Sequence, residues 1–115
     1  MRATWRPVED PDSYVHRVLS TEAPEIPGNV IPTTGWVQAR VMLDEIDIDL
    51  ELIERHDRAE LHQGRRDSFI AAVRSGVPLP PLILLGGQRR LVDGYARYRA
   101  LRALGVAEAE VLHVL

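Results

Sequence analysis

The chain has 115 residues, 45% hydrophobic and 27% charged with a formal charge of −3, the make-up of one globular domain rather than a disordered segment. It contains no cysteine, which excludes disulfides, thiolate nucleophiles, thiolate zinc sites and iron–sulfur ligation. All 14 basic residues are arginine, so lysine Schiff bases, lysine general bases and the lysine of a phosphate-binding P-loop are excluded as well.

Charge is unevenly spread: residues 1–36 net −2, 37–60 net −5 and 61–115 net +4. A basic C-terminal half on an acidic chain suits a local anion site better than a broad nucleic-acid surface. No apolar run approaches a membrane span, and Met1–Arg6 leads into no signal-peptide stretch. The expected location is the cytoplasm, without membrane association.

Residues 1–36 read as an irregular N-terminal arm, interrupted by Pro7, Pro11, Pro24, Pro27 and Pro32. One short helix is expected there, capped by Asp12 and carrying Val15, Val18 and Leu19. Ala23 to Gly35 should be an extended arm or loop. The arm should lie across the domain, because Trp5, Tyr14, Val18 and Ile31 need burial.

The regular domain, residues 37–115, opens with a strand from Val37 to Leu43. A helix over Leu50–Leu61 follows, and a second over Ser68–Ser75, capped by Asp67 and stopped by Gly76 in the left-handed conformation. Leu82–Leu85 is a short buried strand, Gly86-Gly87 a turn, and Arg89–Val92 the returning hairpin partner. Asp93-Gly94 opens a helix from Tyr95 to Leu104, and Val111–Leu115 closes the chain as a strand. This order predicts an α+β domain with a small mixed sheet and packed helices.

The chemistry is concentrated at Asp93-Gly94-Tyr95-Ala96-Arg97. A strand ends, a glycine turns, and a helix begins whose first N–H groups have no intrahelical partner. Phosphate suits that position, with Arg97 offering a bidentate fork and Asp93 a ligand for a divalent cation. Strand–Asp–Gly–helix also describes an ordinary capped helix with solvated arginines.

Further along the chain, Val41–Ile46, a helix ending at Ser75-Gly76, Pro81-Leu82-Ile83-Leu84, the hairpin, Asp93–Arg97 and Ala103-Leu104-Gly105 form one pattern. On these residues the chain from Val41 onward resembles the ParB/sulfiredoxin superfamily. Gly94-Tyr95-Ala96-Arg97-Tyr98-Arg99-Ala100 keeps the glycine, two arginines and the alanine of the ParB motif Gly-Glu-Arg-Arg-x-Arg-Ala. Asp93, Gly94 and Arg97 survive from the Asp-Gly-His-His-Arg form of free serine kinases. The resemblance implies a nucleotide-binding fold with phosphates on the helix beginning at Tyr95. Tyr95, Ala96 and Arg97 would join Asp93 and Gly94 in holding ATP, ADP or CTP, with Mg²⁺ on Asp93. Tyr95 stands where sulfiredoxins have cysteine, which excludes their reductase chemistry, and where ParB has glutamate. The length leaves no room for a helix-turn-helix or a dimerisation domain, so DNA binding is not expected without a partner.

Two readings of activity follow. In the first, the protein is a small-molecule hydroxyl kinase, with Glu45 or Asp44 as catalytic base. The arm would then close as a lid, offering Glu9, Asp10, Glu22 and Glu25 as further bases and Trp36 as a pocket wall. In the second it is a non-catalytic, ParB-like regulatory module binding nucleotide plus DNA or a protein, with Arg89, Arg90, Arg99 and Arg102 as its basic surface. Arg65-Arg66 and Arg89-Arg90 could also touch phosphates. Tyr95 and Tyr98 could stack a base, or Tyr98 could belong to the core. His56, Asp57, Glu60 and His62 form a compact ligand-type cluster, but on one continuous helix the two histidines would face apart, which argues against a metal site.

Overall fold

The computed structural model describes residues 1–115, the side chain of Glu60 excepted. Four strands and four helices build an α+β domain around one mixed sheet of order β1-β4-β2-β3. The strands are β1 (Trp36–Met42), β2 (Leu82–Leu85), β3 (Arg90–Asp93) and β4 (Glu108–Val114). β4 lies antiparallel to β1 over its whole length, from Trp36 opposite Val114 to Met42 opposite Glu108. It lies parallel to β2, with Leu82 opposite Val111. β2 and β3 form the hairpin turned at Gly86-Gly87, with a register shift after Ile83. β4 begins three residues before the predicted strand, because pairing with β1 draws the polar Glu108 and Glu110 into the ladder.

α1 (Pro11–Glu22) covers one face of the sheet. Its Val15, Leu19 and Ala23 side pack with Ile31, Trp36, Ile83 and Leu112. The cap is Asp10, not Asp12: its carboxylate accepts the Ser13 N–H at 3.2 Å, and Pro11 occupies the first turn. Asp12 instead accepts the backbone N–H of Trp36 at 3.0 Å, tying α1 to the start of β1. Residues 4–6 run beside Leu79, bonded through Leu79 N–H to Thr4 C=O and Arg6 N–H to Leu79 C=O, both 2.8 Å.

The other face carries α2 (Leu50–Arg58), α3 (Glu60–Arg74) and α4 (Tyr95–Ala103). Its core joins Val41, Leu43, Val73, Leu79, Leu82, Leu84, Leu91, Leu101 and Val111. The predicted division of this region is corrected. The first helix stops at Arg58 rather than Leu61, the chain is extended at Ala59 (φ −96°, ψ 121°), and a second helix runs unbroken from Glu60. Asp67 therefore lies inside α3 and caps nothing. Gly76 does take the left-handed conformation at φ +72°, and Val77 N–H closes on Ala72 C=O at 2.9 Å.

His113 on β4 is buried, and its Nε2 is the one buried side-chain polar atom among the described residues with no hydrogen-bond partner. Burial holds its pKa below the ordinary 6.5, and the charge of Arg89 pushes the same way. The folded state therefore resists a proton that the unfolded chain accepts, so stability is full above about pH 6.5 and falls as pH drops below it. His56, also held low by burial, acts in the same direction. Denaturant melts between about pH 7.5 and pH 5 should show this loss, at most about 1.4 kcal/mol per pH unit for each proton. His113→Leu should flatten the slope; an unchanged slope would remove His113 as a cause.

Candidate functional site

The site begins at the β3–α4 junction. Gly94 turns the chain at φ +106° and stands at the N-cap of α4 without a side-chain cap. The first hydrogen bond of the helix runs from Tyr98 N–H to Gly94 C=O at 2.8 Å. The N–H groups of Tyr95, Ala96 and Arg97 are thus left without intrahelical acceptors. These residues line a cavity of about 740 Å³. Its walls come from α4 (Tyr95–Arg97), α2 (Leu52, His56), α3 (His62, Arg65, Phe69) and the α1 region (Tyr14, Glu22, Glu25).

Four of the five predicted nucleotide residues, Asp93, Gly94, Tyr95 and Ala96, line this cavity. Arg97 lines it too, but its guanidinium turns inward, 7% exposed. Nη1 donates to the carbonyls of Pro80 (2.6 Å) and Pro81 (2.9 Å), and Nη2 to Asp93 Oδ2 at 2.8 Å. The guanidinium also lies 5.9 Å from the centre of the Phe69 ring. In this arrangement Arg97 clamps the Pro80-Pro81 turn against the start of α4. Arg99 is 4% exposed and spans the break at Ala59. Nε donates to Asp57 Oδ1 at 2.8 Å and Nη1 to the His62 carbonyl at 3.1 Å.

That break brings together two residues that a continuous helix would have separated. The rings of His56 and His62 stack with centroids 3.9 Å apart and planes 14° from parallel, correcting the expectation that they face apart. The Tyr95 ring meets His56 edge-on at 6.0 Å, and its hydroxyl accepts the Asp49 N–H at 3.2 Å. Burial first, then the neighbouring charges of His62, Arg99 and Arg55, keep the His56 pKa below its ordinary value. No group of three or more His, Asp or Glu ligands converges among the described residues; the Glu60 side chain, part of the predicted cluster, lies outside them.

The structure places Asp44 and Glu45 elsewhere. They follow β1 in a short turn, where Asp44 accepts from Arg102 Nη1 at 3.0 Å and Glu45 from Arg89 Nη1 at 2.9 Å. Arg102 is in the last turn of α4, seven residues or about 10 Å along the axis from Tyr95. Neither acid lines the cavity. Of the arm's acids, Glu22 and Glu25 do, whereas Glu9 and Asp10 border a separate groove of about 500 Å³. Trp36 is in the core, its indole N–H bonded to Pro32 C=O at 2.8 Å. Tyr98 is core as well. Of the arginines read as a basic surface, Arg90 pairs with Asp47 at 2.8 Å, Arg89 and Arg102 with Glu45 and Asp44, and Arg99 is buried.

No protein-family model matches the sequence, and no curated protein matches it. Among solved structures, the chain is similar to a Pnob8-like ParB-N domain in its C2221 form, with a TM-score of 0.51 and 22% identity. The chain's fold is ParB-N-like. The match covers 67% of this chain and 29% of that one, so this chain spans under a third of the length of that structure. At this identity the likeness is one of fold: the α+β arrangement with a four-stranded mixed sheet expected from the sequence. Arg65, read from the sequence together with Arg66 as a possible phosphate contact, is the exposed arginine on the cavity wall and makes no ion pair with a described residue. No helix is long and apolar enough to cross a membrane.

Gly94 is the residue this junction tolerates least. A Cβ there would come within 2.5 Å of Leu82 Cδ2 and 3.1 Å of Arg97 Nη2, at a positive φ. Gly94→Ala should destabilise the domain by about 2–4 kcal/mol, combining left-handed strain with overpacking. A thermal melt within a degree of wild type would refute the clamp.

Proposed function

We propose that this ParB-like domain binds a nucleotide in the cavity at the start of α4. The observation that carries the reading is the uncapped N-terminus of a nine-residue helix at a cavity of about 740 Å³ that an exposed arginine, Arg65, also lines. The three free N–H groups and the helix dipole favour phosphate oxygens. Arg65, rather than the inward-turned Arg97, supplies the mobile cation. Asp93 keeps one carboxylate oxygen beyond its bond to Arg97, which fits a Mg²⁺ ion that arrives on the phosphates and takes a single protein carboxylate. Tyr95 and the histidine pair form an aromatic wall at the level of the helix start.

Isothermal titration with ATP, ADP and CTP, each with Mg²⁺, tests the reading. One of them should bind, and Arg65→Ala should weaken it by about ten- to a hundredfold, the loss of a charge-assisted contact. Absence of heat with all three, on protein shown to be folded, would end it.

Phosphoryl transfer to a small hydroxylated metabolite is the finer reading, and what favours it is the position of Glu22 and Glu25 on the same cavity as the helix start. They replace Asp44 and Glu45 as candidate bases, because a base must reach the attacking hydroxyl. ADP release in a screen of hydroxy compounds should be lost in Glu22→Gln or Glu25→Gln while nucleotide affinity holds. If no compound stimulates ADP release by the wild-type protein, the domain is a binding module.

A further inference from the structure

The charges around the cavity do not suit a polyanion as they stand. Glu22 and Glu25 line it without an ion pair to a described residue, and Asp93 and Arg97 neutralise each other at 2.8 Å. Among the described residues, Arg65 is the one wall arginine that is not in an ion pair. A nucleotide triphosphate entering here needs more, and the two groups able to supply it near neutral pH are His56 and His62. Both are on the wall, and both are partly buried.

Their geometry sets how they charge. Two rings 3.9 Å apart and nearly parallel cannot both hold a proton cheaply, since like charges at that distance repel strongly. Protons therefore leave in two separated steps that belong to the pair. Burial first, and then the neighbouring charges, disfavour a proton on His56 when the cavity has no anion. Arg55 on α2 and Arg99 on α4 repel a charge on His56. Asp57 favours it but is engaged by Arg99 at 2.8 Å and approached by Arg66 at 3.8 Å. Tyr95 offers a ring edge and no charge. On the cavity side the charged wall residues are Arg65, Glu22 and Glu25. A phosphate chain brought to the helix start outweighs that balance.

We propose that the stacked His56–His62 pair is the proton-accepting wall of this cavity, taking up one proton when a polyphosphate binds. This inference rests on the nucleotide-binding reading of the cavity. It makes affinity for phosphate depend on pH through residues outside the α4 motif. It also links binding to the break between α2 and α3, because the pair bridges the two helices.

The test is calorimetry with MgATP at about pH 7.5 in buffers of different ionisation enthalpy, which reads protons taken up per ligand bound. Wild type should take up between about half and one proton, and affinity should rise by up to about tenfold per pH unit as pH falls from 8 towards 6.5. His62→Gln and His56→Gln should each bind with uptake reduced by at least half; titration of the ATP terminal phosphate is common to all three and cancels. Arg99 holds the His62 carbonyl, not its ring, so His62→Gln retains that contact. Imidazole ¹³C shifts give a second readout: MgATP should raise the higher apparent pKa of the pair, the step at which its first proton binds. Binding with equal proton uptake in wild type and both variants would overturn the histidine proposal and leave the nucleotide reading standing. Absence of binding in wild type would overturn both.

Discussion

The end of this domain that holds the large cavity hangs from two arginines that α4 buries. Burying a guanidinium costs several kcal/mol unless its donors are met, and here they are met by specific pieces of distant chain. Arg97 collects the carbonyls of Pro80 and Pro81 and the carboxylate of Asp93, while Arg99 collects Asp57 and the carbonyl of His62. The first fixes the entry to β2 against the start of α4. The second fixes the corner between α2 and α3. A proline-flanked turn has carbonyls to spare, since Pro81 offers no N–H, and Arg97 uses that surplus.

The cavity inherits its character from this arrangement. With both motif arginines facing protein, the groups left to the cavity include the unpaired N–H groups at Tyr95, Ala96 and Arg97, with Arg65 on the same cavity wall. The corner held by Arg99 sets the histidine pair beside Tyr95 at the helix start. Gly94 is what lets the two systems sit so close, because a side chain there would meet Leu82 and the Arg97 guanidinium together. Recognition by backbone amides and a helix dipole is rigid and costs little conformational entropy, whereas Arg65 must be ordered by whatever it binds.

The remaining arginines have a different part. Arg89, Arg90 and Arg102 meet Glu45, Asp47 and Asp44 along the segment that follows β1. Asp47 also joins the outer side of β3 through two backbone hydrogen bonds, to Arg89 C=O and from Leu91 N–H. The acidic stretch and the basic stretch that were separate in sequence thus neutralise each other along the hairpin. These exposed pairs contribute little to stability, but they leave few free cations on that side for DNA. α1 closes the opposite face of the sheet, and the same segment that buries Val15 and Leu19 ends in two acids of the cavity, Glu22 and Glu25. Removing it would strip a core as well as a wall.

Much of the fold was legible in the residues themselves. Alternation and β-branched content marked β1 and the hairpin, glycines at 76 and 94 marked turns that the structure shows at φ +72° and +106°, and Asp93-Gly94 marked the start of α4. These are local signals, decided by backbone sterics within a few residues. The break at Ala59 was not legible: nothing in Arg58-Ala59-Glu60 forbids a helix, and the chain bends where Arg99, some forty residues later, bonds to both sides of the bend. The direction of Arg97 was hidden for the same reason, since a motif reports which donors are present and not which acceptors reach them first. Nor could spacing tell Glu22 and Glu25, which line the cavity, from Asp44 and Glu45, which do not. Sequence by itself determined the elements, their order and the helix start with its phosphate-suited amides. Tertiary structure alone decided which charges remain free there, because pairing depends on distances between segments that only packing brings together.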